Sequence, residues 1–140
     1  MFGPSGFAYV YFIYGLYYCF NVVANKKDIP QAVLIRAIEP DEGLGAISLN
    51  RYKKSYESLT KKEKLNLTSG PSKLCTALKI DKSLNGCDLL SDILFIEDTN
   101  KNDIKIKSAK RIGIDYAEEA KDFLWRFYDE QSPYVSKKVK

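Results

Sequence analysis

Two blocks of strand composition, Ala8 to Ile13 and Leu16 to Val23, meet at Tyr14-Gly15 within the run FAYVYFIYGLYYCFNVV. Strand-forming segments joined by a pair suited to a tight turn specify a β-hairpin, with Tyr14 at its tip. The run is also unusually rich in tyrosine: Tyr9, Tyr11, Tyr14, Tyr17 and Tyr18 fall within ten residues. Val, Ile and Leu fill a core strand without polar atoms, whereas each tyrosine brings a hydroxyl that needs a partner once buried. Such density suits a surface that stacks on something flat, nucleobases being the commonest flat ligands. Aromatic strands packed under helices are the competing explanation.

A polar break at Asn25 to Pro30 precedes a third strand, Gln31 to Ile38, so the first strands form an antiparallel meander. Pro40 ends that strand. Asp41 to Tyr56 then has a helical pattern, acidic at its start and basic later, as the helix dipole favours. Thr60 to Leu65 reads as a further helical turn, with Glu63 placed to complete a capping box. In Ser69-Gly70-Pro71-Ser72-Lys73 a serine cap and an early proline mark a helix start, with Lys73 where the N-terminus opens to solvent. That arrangement is either a phosphate site or an ordinary capped helix. Asn85-Gly86 marks a turn, Ile93 to Glu97 a strand, Asp98 to Asp103 a loop and Ile104 to Lys107 another strand. Arg111 to Ile114 either continues as strand or bends at Gly113, and Ala117 to Asp122 is a short helical stretch. Trp125 to Tyr128, with Tyr134-Val135, are aromatic enough to anchor the C-terminus on the core.

The 140 residues suffice for one domain with a core. There is no histidine, which excludes Ser-His and Cys-His nucleophiles and the commonest metal ligand. Cys19, Cys75 and Cys87 are odd in number and lack metal-ligand spacing, which fits a reducing cytoplasm. The net charge of +4 is modest, and basic residues gather in Arg51 to Lys64 and Ser136 to Lys140, as solvated faces or as a nucleic-acid footprint. No basic stretch precedes the aromatic run and no cleavage pattern follows it, and Asn21 with the tyrosine hydroxyls argues against a membrane segment. Arg36, among apolar strand neighbours, is costly to bury unless it meets a carboxylate, a phosphate or a polar site. It is therefore a site candidate, or half of a salt bridge with Glu39 or Glu42. Asn21 either lines a pocket or satisfies a turn.

The stretches YVYFIYGLYYCFNVV, QAVLIRAIEPDEGL, SGPSKLCTALKIDKSLNGCDL, KRIGI and WRFYDEQSPYVS occur in this order. Together they closely resemble the alkyladenine (3-methyladenine) DNA glycosylase family over nearly the whole chain. The resemblance implies a mixed α+β fold: one domain, residues 1–140, with a curved, mainly antiparallel sheet, a protruding hairpin and surrounding helices. It implies excision of alkylated or deaminated purines, such as 3-methyladenine and hypoxanthine, by hydrolysis of the N-glycosidic bond. The implied partner is double-stranded DNA carrying the damaged purine. No metal or organic cofactor, no membrane and a cytoplasmic or nucleoid-associated monomer are expected.

By that resemblance Tyr14 fills the minor-groove gap left by the extruded nucleotide, and Leu16 and Tyr17 flank it. Tyr11 stacks on the base and Asn21 helps screen purines. Arg36 and the backbone carbonyl of Ile112 hold the attacking water, while Lys73 and Lys82 hold the DNA backbone. Family members also have a segment, before the part matched here, with a glutamate as general base, a tyrosine and a pocket histidine. None of these lies before Met1, so the expected chain is a member lacking that segment. A general base is worth roughly 10²- to 10⁴-fold in rate. The alternative expectation is therefore an inactive fragment that only binds DNA. A peripheral membrane protein using the aromatic stripe is a third reading.

Overall fold

The computed structural model describes residues 1–100 and 103–138. Strands β1 (Ala8–Ile13) and β2 (Tyr17–Val23) form the expected hairpin, in antiparallel register from Ala8 opposite Val22 to Ile13 opposite Tyr17. The turn is made by two consecutive residues with positive φ, Tyr14 at 53° and Gly15 at 65°, and the Leu16 N–H donates to the Ile13 carbonyl at 3.2 Å. This backbone twist matches that of the strands it joins. β3 (Ala32–Leu34) pairs with β2 and completes the meander.

β3 is shorter than the expected Gln31 to Ile38. After Ile35, whose N–H still donates to the Phe20 carbonyl at 3.0 Å, the chain leaves the ladder: Ala37 bridges Ser69, and the Thr68 hydroxyl donates to the Ile38 carbonyl at 2.6 Å. These contacts with the segment before a later helix compete with further pairing to β2. The outer edge of β1 is closed by the Asn85-Gly86 turn. Val10 N–H donates to Asn85 Oδ1 at 2.9 Å, and Gly86 N–H to the Ala8 carbonyl at 2.8 Å. An edge so occupied offers no free ladder for another strand.

Side chains alternate across a strand, so the meander has two different faces. On one, Ala8, Val10 and Phe20 bury against Leu74, Cys75, Ile80 and Leu89. The other carries Tyr9 and Tyr11 opposite Asn21 and Cys19. The packed face is covered by α3 (Pro71–Leu78), which in turn lies against α1 (Leu44–Tyr52). Between these helices Ile47, Leu59, Leu67 and Ala77 form a second core cluster, and Asn50 Nδ2 donates to the Ala77 carbonyl at 2.8 Å.

α1 is trimmed relative to Asp41 to Tyr56 because Gly43 and Lys53, both left-handed, stop it at either end; Tyr56–Ser58 form a separate 3-10 turn. α2 (Lys61–Leu65) has the expected capping box in both directions. α3 differs at its start: Gly70, not Ser69, is the cap, and Ser69 is buried with its hydroxyl on Asn66 Oδ1 at 3.3 Å. Gly70 has φ 154° and ψ 147°, a conformation a side chain disfavours, and Pro71 follows without an N–H to satisfy.

The remaining strands, β4 (Ile106–Ala109) and β5 (Arg126–Asp129), form a separate antiparallel sheet. β4 starts two residues later than expected. Ile93 to Glu97 makes no strand: a single bridge joins Leu90 and Phe95, and the segment finds no longer partner. Arg111 to Ile114 bends, with Gly113 at φ 74°, and Glu118–Asp122 is a 3-10 turn. The aromatic anchor is also different from expectation, since Trp125 and Phe127 are exposed while Arg126 between them is buried. The expected loop at 98–103 and the basic run at 136–140 lie partly outside the described residues.

Candidate nucleic-acid interface

The tip of the hairpin stands free. Tyr14 is 88% exposed, and Leu16 and Tyr17 beside it are exposed as well. Leu16 and Tyr17 border a groove of about 280 Å³ whose opposite wall is the C-terminal end of α3 with Lys79. A second groove, about 320 Å³, lies among Phe12, Tyr18, Asn85 and Lys82. Lys82 opens the 3-10 turn Lys82–Leu84, whose start is fixed by Asp81 accepting from the Ser83 N–H at 2.8 Å. Aromatic rings and lysines thus alternate around the base of the hairpin.

On the other sheet face, where Cys19 and Asn21 are buried, the Tyr9 and Tyr11 rings lie 5.3 Å apart and tilted by 35°. Asn21 is buried, and its Nδ2 donates to the Tyr9 carbonyl at 3.1 Å. Its Oδ1 has no hydrogen-bond partner among the described residues. Burial, then the neighbouring Cys19, Tyr9 and Tyr116, push the Tyr11 hydroxyl up to about 12, so the ring stays a neutral phenol at any physiological pH. Burial likewise raises the Cys19 thiol.

Arg36 belongs to the same group. Burial, followed by the like charge of Arg126, makes its guanidinium easier to deprotonate, while Cys19 and Tyr11 act in the opposite sense. The salt bridge expected as an alternative does not form among the described residues. Glu39 instead accepts from the Ser132 hydroxyl at 3.3 Å. Arg36 is therefore a half-buried cation whose described charged and titratable surroundings are one phenol, one thiol and a second cation.

That second cation went unread in the sequence. Arg126 is buried, donates from Nε to the Lys110 carbonyl at 3.0 Å and stacks 4.8 Å from the centre of the Tyr128 ring. It ties Arg36's surroundings to the strand end just before Ile112. No hydrogen bond joins the Ile112 carbonyl to Arg36 among the described residues. The signal for Arg126 was the one used for Arg36: an arginine amid strand-forming neighbours, here Trp125 and Phe127.

Lys73 lies at the opposite end of α3 from Lys79, and its ammonium is not free in solvent. It donates to Asn66 Oδ1 at 2.7 Å, and burial together with Arg51 lowers its pKa. Lys79 follows Lys73 by six positions, about 9 Å along the axis and about 120° around it, so the two lysines do not share one line along α3. Half of the basic residues in the expected run, Arg51 to Lys64, are engaged within the protein. Arg51 donates to the Leu67 carbonyl at 2.9 Å, Lys54 pairs with Glu63 at 3.0 Å and Lys64 lies over the Tyr56 ring.

Comparison with known proteins decides the family. A model of the methylpurine-DNA glycosylase (MPG) family matches residues 1–133. The chain belongs to the methylpurine-DNA glycosylase family. It is 56% identical over 138 residues to a protein of Desulfitobacterium hafniense (strain Y51) and 55% identical over 138 residues to one of Clostridium novyi (strain NT). Each match covers 99% of this chain and 68% of the relative. A Clostridium acetobutylicum protein is 57% identical over 136 residues, covering 97% of this chain and 66% of that protein. All three carry the name "Putative 3-methyladenine DNA glycosylase". The chain thus spans about two thirds of the length of these relatives. Within this family member, Tyr11, Asn21 and Arg36 share one sheet face, and Tyr14, Leu16 and Tyr17 cluster at the hairpin tip, while Lys82 lines the second groove with Phe12 and Tyr18 and Lys73 stands apart along α3. No helix among the described residues is long and apolar enough to cross a membrane.

Proposed function

We propose that this chain, as a single glycosylase-like domain of residues 1–140, binds duplex DNA and receives an extruded alkylated or deaminated purine on the Tyr11, Asn21 and Arg36 face. The observation that carries this reading is the convergence of those side chains on one face of the hairpin whose tip exposes Tyr14. Tyr14 fills the space vacated in the duplex, with Leu16 and Tyr17 against the neighbouring bases, because unstacking must be offset by a wedge. The purine stacks on Tyr11, and a positively charged methylated ring is further favoured by the phenol face. Asn21 Oδ1 tests the purine edge as an acceptor. Lys73 and Lys82 hold backbone phosphates, in a cytoplasmic or nucleoid setting and as a monomer.

In the hydrolysis proposed for such a site, a water oxygen bonds to C1′ as the C1′–N bond breaks, the bonding pair leaves on the purine, and the water's proton passes to solvent; a purine that is neutral beforehand takes up a proton as it leaves. Arg36 stays charged, since guanidinium groups are not deprotonated in proteins. Its role is to hold the water together with the Ile112 carbonyl, not to take the proton. The absence of a carboxylate beside Arg36 among the described residues favours a second reading, DNA binding without cleavage.

One experiment separates the two: single-turnover base release from duplexes carrying 3-methyladenine or hypoxanthine, with the parent and Arg36→Ala side by side. Release by the parent that falls in the variant supports excision by this chain. Tight lesion binding without release supports the second reading. Neither release nor lesion preference in folded protein refutes both.

A further inference from the structure

Lys73 is held in place rather than extended into solvent, and the group that holds it is Asn66. The asparagine amide is anchored first: its Nδ2 donates to the Lys62 carbonyl at 2.9 Å, and its backbone N–H donates to the Lys62 and Glu63 carbonyls at 3.1 and 3.0 Å. This fixes the side chain at the end of α2 with Oδ1 turned toward the start of α3. Oδ1 then accepts from two groups, Lys73 Nζ at 2.7 Å and the Ser69 hydroxyl at 3.3 Å. The aliphatic part of Lys73 lies over Gly70, where an added Cβ would come within 3.6 Å of its Cδ. A lysine side chain ordinarily loses rotamer entropy when it is immobilised on a ligand. Here that ordering is already present before any ligand arrives, and an ammonium has three donors, so two remain for an anion.

We propose that Asn66 is a positioning residue for DNA binding: it presents the Lys73 ammonium at the start of α3 for a backbone phosphate. This rests on the reading of Lys73 as a phosphate contact. The amide suits the task better than a carboxylate would, because it orients the cation without neutralising it. Nothing in the sequence marked Asn66, which lies outside every motif noted above; the role follows from where α2 ends relative to α3.

The test is a double-mutant cycle on duplex binding, measured by anisotropy over a series of salt concentrations. Asn66→Ala is expected to weaken binding about three- to tenfold, the range typical of coupled contacts, with the salt dependence unchanged because the charge remains. Asn66→Asp is expected to weaken it further and to lower the slope of log K against log salt by about 0.9, one phosphate's worth. In a Lys73→Ala background, Asn66→Ala should have no further effect. If Asn66→Ala is equally damaging without Lys73, its role is only to hold α2 and the proposal falls. If Lys73→Ala itself leaves affinity unchanged, or the folded parent binds no duplex, the phosphate reading fails and the proposal with it. If Lys73→Ala weakens binding while Asn66→Ala does not, the proposal alone fails. In the free protein, lysine-selective NMR should show a slowly exchanging Lys73 ammonium that Asn66→Ala abolishes, and its absence from the parent would equally overturn the positioning role.

Discussion

Tyr14 combines two demands that conflict. Its φ of 53° lies in the left-handed region, which costs a residue with a Cβ roughly 1–2 kcal/mol. Asparagine visits this region readily, yet a flat, large side chain stands there, almost wholly in solvent. Strain kept at an exposed tip is consistent with a role in binding. Tyr14→Asn should therefore leave the melting temperature unchanged or raise it by a few degrees, while affinity for a duplex with a stable abasic analogue falls by about 1–3 kcal/mol, the worth of one stacked ring. Differential scanning fluorimetry and anisotropy on the same preparation check both halves, and an unchanged affinity would remove the wedge role. Arg36 has a similar signature. Without an acid partner among the described residues and with Arg126 acting against it, its half-buried charge is a net cost. Arg36→Met, which keeps an unbranched chain as far as the position of Nε, should stabilise the fold by about 1 kcal/mol while reducing lesion binding. A loss of stability would mean that the guanidinium has a structural partner.

At the scale of elements, α2 depends on its cap. Glu63 is held down to about 2 by the Thr60 backbone N–H, the Lys54 ammonium and the Thr60 hydroxyl, from an ordinary value of 4.5. A carboxyl held below its unfolded value stabilises the protein above that value, and the contribution disappears as pH falls through the folded one. Parent protein should thus lose stability progressively from about pH 4.5 to pH 2, and Glu63→Gln should flatten that part of the profile; urea melts at several pH values would show it. Gly70 makes a comparable demand at the start of α3, where Gly70→Ala should cost about 1–3 kcal/mol from φ alone, since the space around a Cβ is adequate. These local devices also explain what could be read without coordinates. The hairpin, the capping box and the Asn85-Gly86 turn are written in residues a few positions apart, so their chemistry is visible in sequence. β3 and the segment at 93–97 fail because strand formation needs a partner, and partners are set by tertiary contacts such as the Ala37–Ser69 bridge. The site divides in the same way. Tyr11, Asn21 and Arg36 come together because strand alternation and one short connection dictate it. Arg126 and Asn66 enter from elements whose placement depends on the whole fold, and no local spacing announces them.

For the molecule as a whole, the distribution of apolar surface is uneven. The first core is well covered by α3, and the second is closed between α1 and α3. Further along the chain, Leu90, Ile93, Phe95, Ile106, Trp125 and Phe127 are all exposed. The β4–β5 sheet shows why: Ala109 and Arg126 take the covered side, which leaves Ile106 and Phe127 on the other, as diagonal neighbours close enough to form one patch. Scattered apolar residues on a surface need no explanation, but a contiguous patch marks either an interaction surface or a tendency to associate. With a net charge of only +4, repulsion between copies is weak and does little to oppose such association. The folded chain, although proposed to act on DNA as a monomer, should accordingly bind a hydrophobic dye such as ANS and sediment with a mass that rises above the monomer's only at high concentration. Replacing the pair, Ile106→Lys with Phe127→Lys, should lower dye binding several-fold and bring the mass to that of a monomer. The hairpin and the Arg36 face belong to the other sheet, so duplex affinity at fixed salt should stay the same or rise slightly with the two added positive charges; a marked loss of DNA binding in this variant would place the β4–β5 face in the nucleic-acid interface and require the DNA path to be redrawn across both sheets.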